Sequence, residues 1–345
     1  MKKIIQLIFI SCFLLLSCEV EKIENSENIE SVSATFDVEG HNENHFIEIA
    51  ASELGVKSHK VNIKFEGIIN ELDKVIWHMD EPFHSMSVVA AFKVFKEARK
   101  QNISVMINGQ GADEILGGYD IFYKPYFLQK LRNAALFSFL SSIIGFFKNH
   151  KIGLSFILKT LIRPLIGFFS TKKESWLNLK GAFSKKKQKT MEDCSIYMIK
   201  EVGLPMYLHY EDRASMAYSV EARVPFLDYQ LVEFSLLLND EMKIKKGIRK
   251  YILREAMKDI LPKKIYTRYD KQGFILPDAV WMKEYESFFV AELKDAIINL
   301  DKVINDEIIQ VYRDYLLGKT TDYSVIWRCI VFNRWVKLFG ISNTK

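Results

Sequence analysis

The chain has 345 residues, of which 49% are hydrophobic and 26% charged, and its formal net charge is +5. It is long and apolar enough to bury the core of one or two domains, which excludes a disordered chain, and the small positive surplus excludes a wholly basic nucleic-acid binder. The four cysteines, at positions 12, 18, 194 and 329, show neither metal-ligand nor disulfide-framework spacing, so a reducing compartment is the default.

The first 28 residues differ in character from the rest of the chain. Lys2 and Lys3 precede an apolar run from Ile4 to Leu16, and Leu15-Leu16-Ser17-Cys18 has the form of a bacterial lipobox that would place lipid on Cys18. From Ser31 to Phe36 the chain alternates and is β-branched, which predicts a strand. Glu43 to Leu54 predicts an amphipathic helix stopped by Gly55, and Lys57 to Ile63 a second strand. This βαβ rhythm predicts a doubly wound parallel sheet. Helical periodicity returns from Ile68 to His78 and closes at Asp80-Glu81-Pro82, because proline disfavours helix in the residue before it. Asp80 and Glu81 read equally well as solvated turn residues or as part of a site. Ser87 to Gln101 predicts a helix packed on the sheet, leading to a buried strand through Ile103 and Val105 to Ile107.

Chemistry begins where that strand stops. Gly109 and Gly111 permit close backbone approach and positive φ, so NH groups after Ile107 can converge on a spot suited to an anion. Asp113 and Glu114 then place carboxylates at a helix start, where they cap free NH groups or hold a metal that bridges phosphates. A glycine-rich strand-to-helix turn with an acidic cap is also a common structural device, so this stretch does not decide the matter alone.

Phe122 to Lys173 is strongly apolar and aromatic; its longest uncharged run, Asn133 to Phe147, is 15 residues. That is short of the roughly 20 needed to span a bilayer, and helical core is favoured over a membrane-surface helix. Lys172, Lys173 and Lys185 to Lys189 read as a solvated loop, since no aromatic residues interleave them as a nucleic-acid surface would require. Pro205 to Met216 predicts a helix. Asp212 and Arg213 sit near its end, and Glu221 and Arg223 come next, before Val224-Pro225-Phe226-Leu227-Asp228. An arginine beside acids can grip a carboxylate at two points and an aspartate can accept an α-amino group; interior salt bridges account for some of the same charges. A helix from Lys250 to Ile260 breaks at Pro262 before Arg268-Tyr269-Asp270-Lys271-Gln272-Gly273-Phe274. Lys271, in a glycine-containing loop, can neutralise charge on an anionic group. Trp281, Trp327 and Trp335 fall in helical patterns of the carboxy-terminal part.

The string NGQGADEILGGY at 108–119 resembles the (S/D)G(D/E/Q)GADE(L/I)xGGY signature of the synthetase domain of the asparagine synthetase B family. WHMDEPF (77–83), EDRASMAYSVEARVPFLD (211–228) and RYDKQGF (268–274) resemble further motifs of that family in the same order. The resemblance implies an α/β fold: a doubly wound parallel sheet of the PP-loop ATP pyrophosphatase (adenine nucleotide alpha hydrolase-like) type with a large helical portion. The α/β part would occupy 29–120 and the mainly helical part 121–340, after a leader at 1–28. The implied reaction uses ATP and Mg2+ to activate the aspartate side-chain carboxylate as an acyl-adenylate, then transfers ammonia to give asparagine, AMP and pyrophosphate. By resemblance Lys271 is the catalytic lysine, with Gln110, Asp113 and Glu114 at the reacting centre and Asp113 also a metal ligand. Ala34, Thr35 and Phe36 would meet adenine, and Asn108, Gly109 and Gly111 the rest of the nucleotide. Asp80, Glu81, Asp212, Arg213, Glu221 and Arg223 would line the amino-acid pocket.

The sequence departs from the family in three respects. The PP-loop string SGGxDS has no counterpart, and the leader stands where its strand is expected. The amino-terminal glutaminase domain, which starts with Cys after the initiator Met, has none either; position 2 is Lys. Gln110 replaces a common Glu and cannot act as a base, while Asn108 replaces Ser or Asp and keeps a polar contact. Because the chemistry needs ATP, a cytoplasmic chain shortened at its front is expected over a lipoprotein anchored through Cys18. Such a chain would have weak or no activity alone and draw ammonia from solution, or from a separate glutaminase or front-half polypeptide; a homodimer is compatible with the reading. The second reading is a non-catalytic exported binding protein on the same fold.

Overall fold

The β-branched front of the chain folds as expected. In the computed structural model, which describes residues 29–38, 43–132, 136–149, 176–177, 188–268, 276–320 and 323–341, strand β1 (Glu30–Thr35), helix α1 (Asn44–Leu54) and strand β2 (Lys57–Asn62) form a βαβ unit. The strands are parallel, with Glu30 opposite Lys57 and Thr35 opposite Asn62. Gly55, at φ +67°, ends α1 by donating its NH to the Ala51 carbonyl. The leader with Cys12 and Cys18, the apolar stretch at 154–169, the lysines at 172, 173 and 185–187, and the loop residues 269–275 with Lys271 lie outside the described residues.

Helix α2 (Phe65–Met79) buries Phe65, Ile68, Leu72, Val75, Ile76 and Met79, a helical stripe of apolar residues. Helix α3 (Ser87–Lys100) buries Val88, Val89, Phe92 and Phe95 and packs on β1 and β2. Strand β3 (Val105–Ile107) pairs in parallel with β4 (Glu221–Arg223), Val105 opposite Glu221 and Ile107 opposite Arg223. Strands β5 (Ile244–Lys245) and β6 (Ile248–Arg249) make an antiparallel hairpin. Among the described residues the sheet therefore resolves into two parallel pairs and a hairpin within a mostly helical α/β fold. The expectation that β3 is buried is corrected: Val105 and Ile107 are exposed, Ile107 by 66%, and Met106 packs on the core. Strand side chains alternate, and no described element covers the second face of β3.

The remaining described residues are mostly helical. After the single turn α4 (Ala112–Ile115) come α5 (Tyr123–Arg132), α6 (Leu136–Asn149), α7 (Met191–Lys200), α8 (Leu204–Met216) and α9 (Tyr229–Leu237). Short helices α10 (Asp240–Lys243), α11 (Tyr251–Met257), α12 (Lys263–Tyr266) and α13 (Asp278–Glu284) lead to α14 (Glu286–Asn299), α15 (Glu307–Leu316) and α16 (Ser324–Leu338). Two aromatic cores result. In the larger, Phe65 sits among Trp281, Tyr285, Phe288 and Phe289 with ring centroids 5.9, 4.3, 5.6 and 5.5 Å away. Arg334 fastens its outer side, bonding Glu292 at 2.8 and 2.6 Å and Asp73 at 2.8 Å. In the smaller, Phe122, Tyr123, Tyr126, Phe127 and Phe146 pack between α5 and α6, so the inner side of the described part of this apolar stretch, 122–147, is helical core as expected.

Phe65→Ala removes a buried ring at the junction of α2, α13 and α14. We expect it to destabilise the fold by about 3–5 kcal/mol, read as a lower denaturation midpoint; a midpoint within error of wild type would mean that this cluster does not hold the helices together.

Candidate functional site

The glycine elbow between β3 and α4 is held by its own backbone. Asn108 donates its NH to the Arg223 carbonyl (3.0 Å), which ties the end of β3 to β4, and its Oδ1 accepts the Gln110 NH (2.9 Å). Gly111 adopts φ +94°, and a Cβ there would strike the Leu227 side chain. Helix α4 is one turn, shorter than the sequence suggests, because Gly117 and Gly118 break it at once. A Cβ on Gly118 would fall on the Asp113 carboxylate, and the Gly118 NH donates to the Asp113 carbonyl (2.8 Å). Asp113 is thereby folded back over the turn, where the Lys250 ammonium meets its Oδ1 at 2.9 Å.

Glu114 points the other way, into the protein. It is buried and accepts a hydrogen bond from the Tyr119 hydroxyl at 2.8 Å. Burial, with the nearby Glu114 and Asp113 charges, drives the Tyr119 phenol far above its ordinary pKa. Tyr207 on α8 is pushed up by burial and by the same two carboxylates, so α8 reaches the elbow. One turn further along α8, burial alone pushes the Glu211 carboxyl up to about 7.

The other predicted site residues fall into separate groups. Asp80 pairs with Arg213 at 2.9 Å, and Glu81 lies 3.6 Å from His209 Nε2, which donates to the Met79 carbonyl (2.9 Å). Asp212 is exposed. Glu221 and Arg223 are exposed on β4 and pair with each other at 2.9 Å. Thr35 and Phe36 are buried at the end of β1, with Phe36 against Trp281 (6.2 Å), and Ala34 packs on the same core. Gly109 is open, with nothing within 4 Å of where a Cβ would stand. Of the fourth motif only Arg268 is described; it pairs with Glu43 at 2.7 Å and lies over the Phe46 ring at 4.1 Å.

Lys250 was missed by the sequence reading. It precedes α11 with φ +52°, a left-handed conformation that costs a residue with a side chain about 1–2 kcal/mol. Strain of this kind gathers where geometry serves function. From α11 Arg254 donates to the carbonyls of Arg249 (3.1 Å), Tyr266 (3.1 Å) and Arg268 (2.9 Å), which joins the segment carrying Lys250 to the start of the Lys271 loop. A Mg2+ ion bridging ATP phosphates takes one or two protein carboxylates and completes its shell from phosphate and water oxygens. No described group of three His, Cys, Asp or Glu side chains could hold a metal alone; Asp113 is the carboxylate the elbow presents, and it fits the single-ligand mode.

A carboxylate, an ammonium and a glycine turn with open space at Gly109 meet at the elbow of a mostly helical α/β fold. The sequence matches the asparagine synthase family over residues 16–337, and the chain belongs to that family. It is 26% identical over 335 residues to asparagine synthetase [glutamine-hydrolyzing] 1 of Bacillus subtilis, covering 89% of this chain and 52% of that protein. It is also 26% identical over 259 residues to the asparagine synthetase [glutamine-hydrolyzing] of Rattus norvegicus, covering 72% and 35% respectively. To amidase chyE of Penicillium rubens it is 24% identical over 298 residues, covering 74% and 44%. The chain spans about half the length of the curated relatives it matches.

Because Glu211 keeps its proton to about pH 7 when folded and loses it near 4.5 when unfolded, the unfolded state binds fewer protons between those values. Its contribution to stability therefore falls as pH rises through that window. Glu211→Gln should gain on wild type from pH 4.5 to 7 and keep a constant advantage above, of about 1–2 kcal/mol after solvent screening. Parallel melting curves across pH check this; a pH-independent difference would show that Glu211 is not held protonated.

Proposed function

We propose that the chain is an ATP-dependent, amide-forming ligase of the asparagine synthetase kind. The observation that carries this is the Lys250 ammonium set on Asp113 at the glycine elbow. In the first step an oxygen of the aspartate side-chain carboxylate attacks the α-phosphorus of ATP, giving β-aspartyl-AMP and expelling pyrophosphate. In the second, ammonia attacks the acyl carbon, the bond to AMP breaks, and asparagine forms. Negative charge grows on phosphate oxygens in the first step and on the carbonyl oxygen in the second. A lysine fixed by a partner is preorganised to stabilise either. We assign that role to Lys250, with Lys271 as the second candidate.

Gln110 can donate its amide NH to an oxygen but takes no proton, so the proton shed by the amine passes to water or to the leaving phosphate. Asp113 would hold a Mg2+ ion arriving with ATP, and the ion would supply charge neutralisation on the phosphates. Asn108, Gly109 and Gly111 would face the nucleotide, and Ala34, Thr35 and Phe36 the adenine side. Asp80, Glu81, Asp212, Arg213, Glu221 and Arg223 are assigned to the amino acid, whose charged groups would exchange with the ion pairs now present. The two parallel pairs are read as parts of one doubly wound sheet of the PP-loop ATP pyrophosphatase type, with residues 29–120 its α/β portion and 121–340 its helical portion. The nitrogen donor is ammonia, free or released from glutamine by a glutaminase unit, and dependence on ATP assigns the chain to the cytoplasm.

Aspartate-dependent exchange of labelled pyrophosphate into ATP tests adenylation without a nitrogen donor. Exchange should fall by about 100-fold or more in Lys250→Ala, and the same measurement on Lys271→Ala separates the two lysines. A folded chain that shows no exchange, or exchange indifferent to aspartate, overturns the reading.

A further inference from the structure

Helix α8 carries a carboxyl group on its inward face that nothing pairs. At about 100° per residue Leu204, Tyr207, Glu211, Ala214 and Ser215 fall in one sector of the helix, and Leu204, Ala214 and Ser215 are buried. His209 and Arg213 lie on the opposite side, where Glu81 and Asp80 meet them. Among the described residues Glu211 makes neither a hydrogen bond nor an ion pair, and burial alone acts on its carboxyl. A buried polar group left in that condition needs a reason, because most are satisfied.

Its place along the helix is fixed from both ends. One turn on, the Ser215 carbonyl accepts the NH of Val220 at 3.1 Å, and Glu221 then opens β4 by donating its NH to the Ser104 carbonyl at 2.8 Å. One turn back, Tyr207 is raised by burial and then by the Glu114 and Asp113 charges, which sets it against the elbow. Glu211 lies midway between the start of β4 and the elbow, beside the carboxyl ends of the paired strands β3 and β4. That end of a parallel sheet is where α/β proteins bind their ligands. Asp113 and Glu114 of the elbow, Glu221 and Arg223 of β4, and His84 of the turn after α2 leave its proton affinity unmoved. Among the described residues, so does every titratable group of α2, α3 and α7, which also pack on α8.

We propose that, in the amide-forming step of the ligase reading on which this rests, Glu211 is the group that accepts the amine's proton, through one water. Gln110 takes no proton, so a proton handed to water at the elbow needs a base to receive it. Ammonia attacks the acyl carbon and the N–C bond forms. One N–H proton passes through the water to a Glu211 carboxylate oxygen. The carbonyl then re-forms, the bond to AMP breaks, and AMP leaves with the electron pair; Glu211 later returns its proton to solvent. A general base works best when its own affinity for the proton matches the working pH, so the burial that costs the fold stability also tunes the group. A purely structural role is disfavoured by the same cost, since no partner gains from the carboxyl being there.

The test compares two rates on the purified full chain across pH: aspartate-dependent pyrophosphate exchange, and aspartyl hydroxamate formation from ATP, aspartate and hydroxylamine. Hydroxylamine is uncharged near neutrality, so its own protonation does not imitate that of Glu211. In wild type the ratio of hydroxamate formed to pyrophosphate exchanged should rise with pH and level off above about 7. Glu211→Gln should lower that ratio about 100-fold or more and flatten its pH profile. Glu211→Asp keeps a carboxylate within reach of a water and should retain the rise. A ratio that Glu211→Gln leaves unchanged overturns the proposal, and so does a variant that loses both rates in proportion, which would make the residue structural. If Glu211→Gln does not fold, the wild-type profile decides, and a flat ratio overturns the proposal. A wild-type chain with no exchange overturns the ligase reading itself and this inference with it, an outcome distinct from exchange that persists while the ratio stays flat.

Discussion

The close approach of Gly118 to the Asp113 carboxylate is the constraint on which the candidate site depends. Without a Cβ at 118 the chain can turn directly after α4 and let Asp113 fold back over it. Asp113 then meets Lys250, and that contact asks Lys250 to sit in the left-handed region. The ion pair is only partly screened, with side chains 24% and 29% exposed, so its attraction offsets the backbone cost more fully than a surface pair would. A turn, a strained lysine and the start of α11 are therefore one unit. Glu114 has a different task although it is the next residue. Buried and bonded to Tyr119, it fastens the turn from within and leaves Asp113 as the carboxylate that meets a cation.

The parts of the fold that were legible in the sequence are those set by local periodicity. The stripe from Phe65 to Met79, the stop at Gly55 and the alternation from Ser31 to Phe36 each reflect interactions within a few residues, and they folded as read. The exposure of Ile107 was not legible, because burial of a strand depends on what lies over both of its faces. Lys250 was hidden for a related reason. Its partner is 137 positions away, and a left-handed backbone at a lysine leaves no mark in composition. Lys271 was legible only through the resemblance of its motif, 268–274, to a family motif, since one lysine among 48 basic residues is not distinguished by its type.

The charged residues of the third motif show how sequence and structure divide the work. Reading Arg213 and Arg223 beside acids suggests either substrate grips or internal salt bridges. Geometry finds each of them already paired, Arg213 with Asp80 and Arg223 with Glu221. The two readings are compatible at exposed positions, where a substrate bearing both a carboxylate and an ammonium can exchange partners with such a pair at little net cost. A buried pair could not do so, since removing either partner would strand a charge.

Helix α6 and the lysine at the elbow are parts of one packed body. Phe146 on α6 rests on Gly247, whose carbonyl accepts a hydrogen bond from the Tyr123 hydroxyl at 2.7 Å. Arg249, two residues on, pairs with Asp120 beyond the glycine turn, and the next residue is Lys250. From helix to lysine the path runs through a close-packed hairpin with no loop to absorb movement. Such contiguity does not by itself transmit a signal, because coupling needs an element with two alternative arrangements. What it does is fix geometry: the hairpin holds Lys250 at a set place relative to α6.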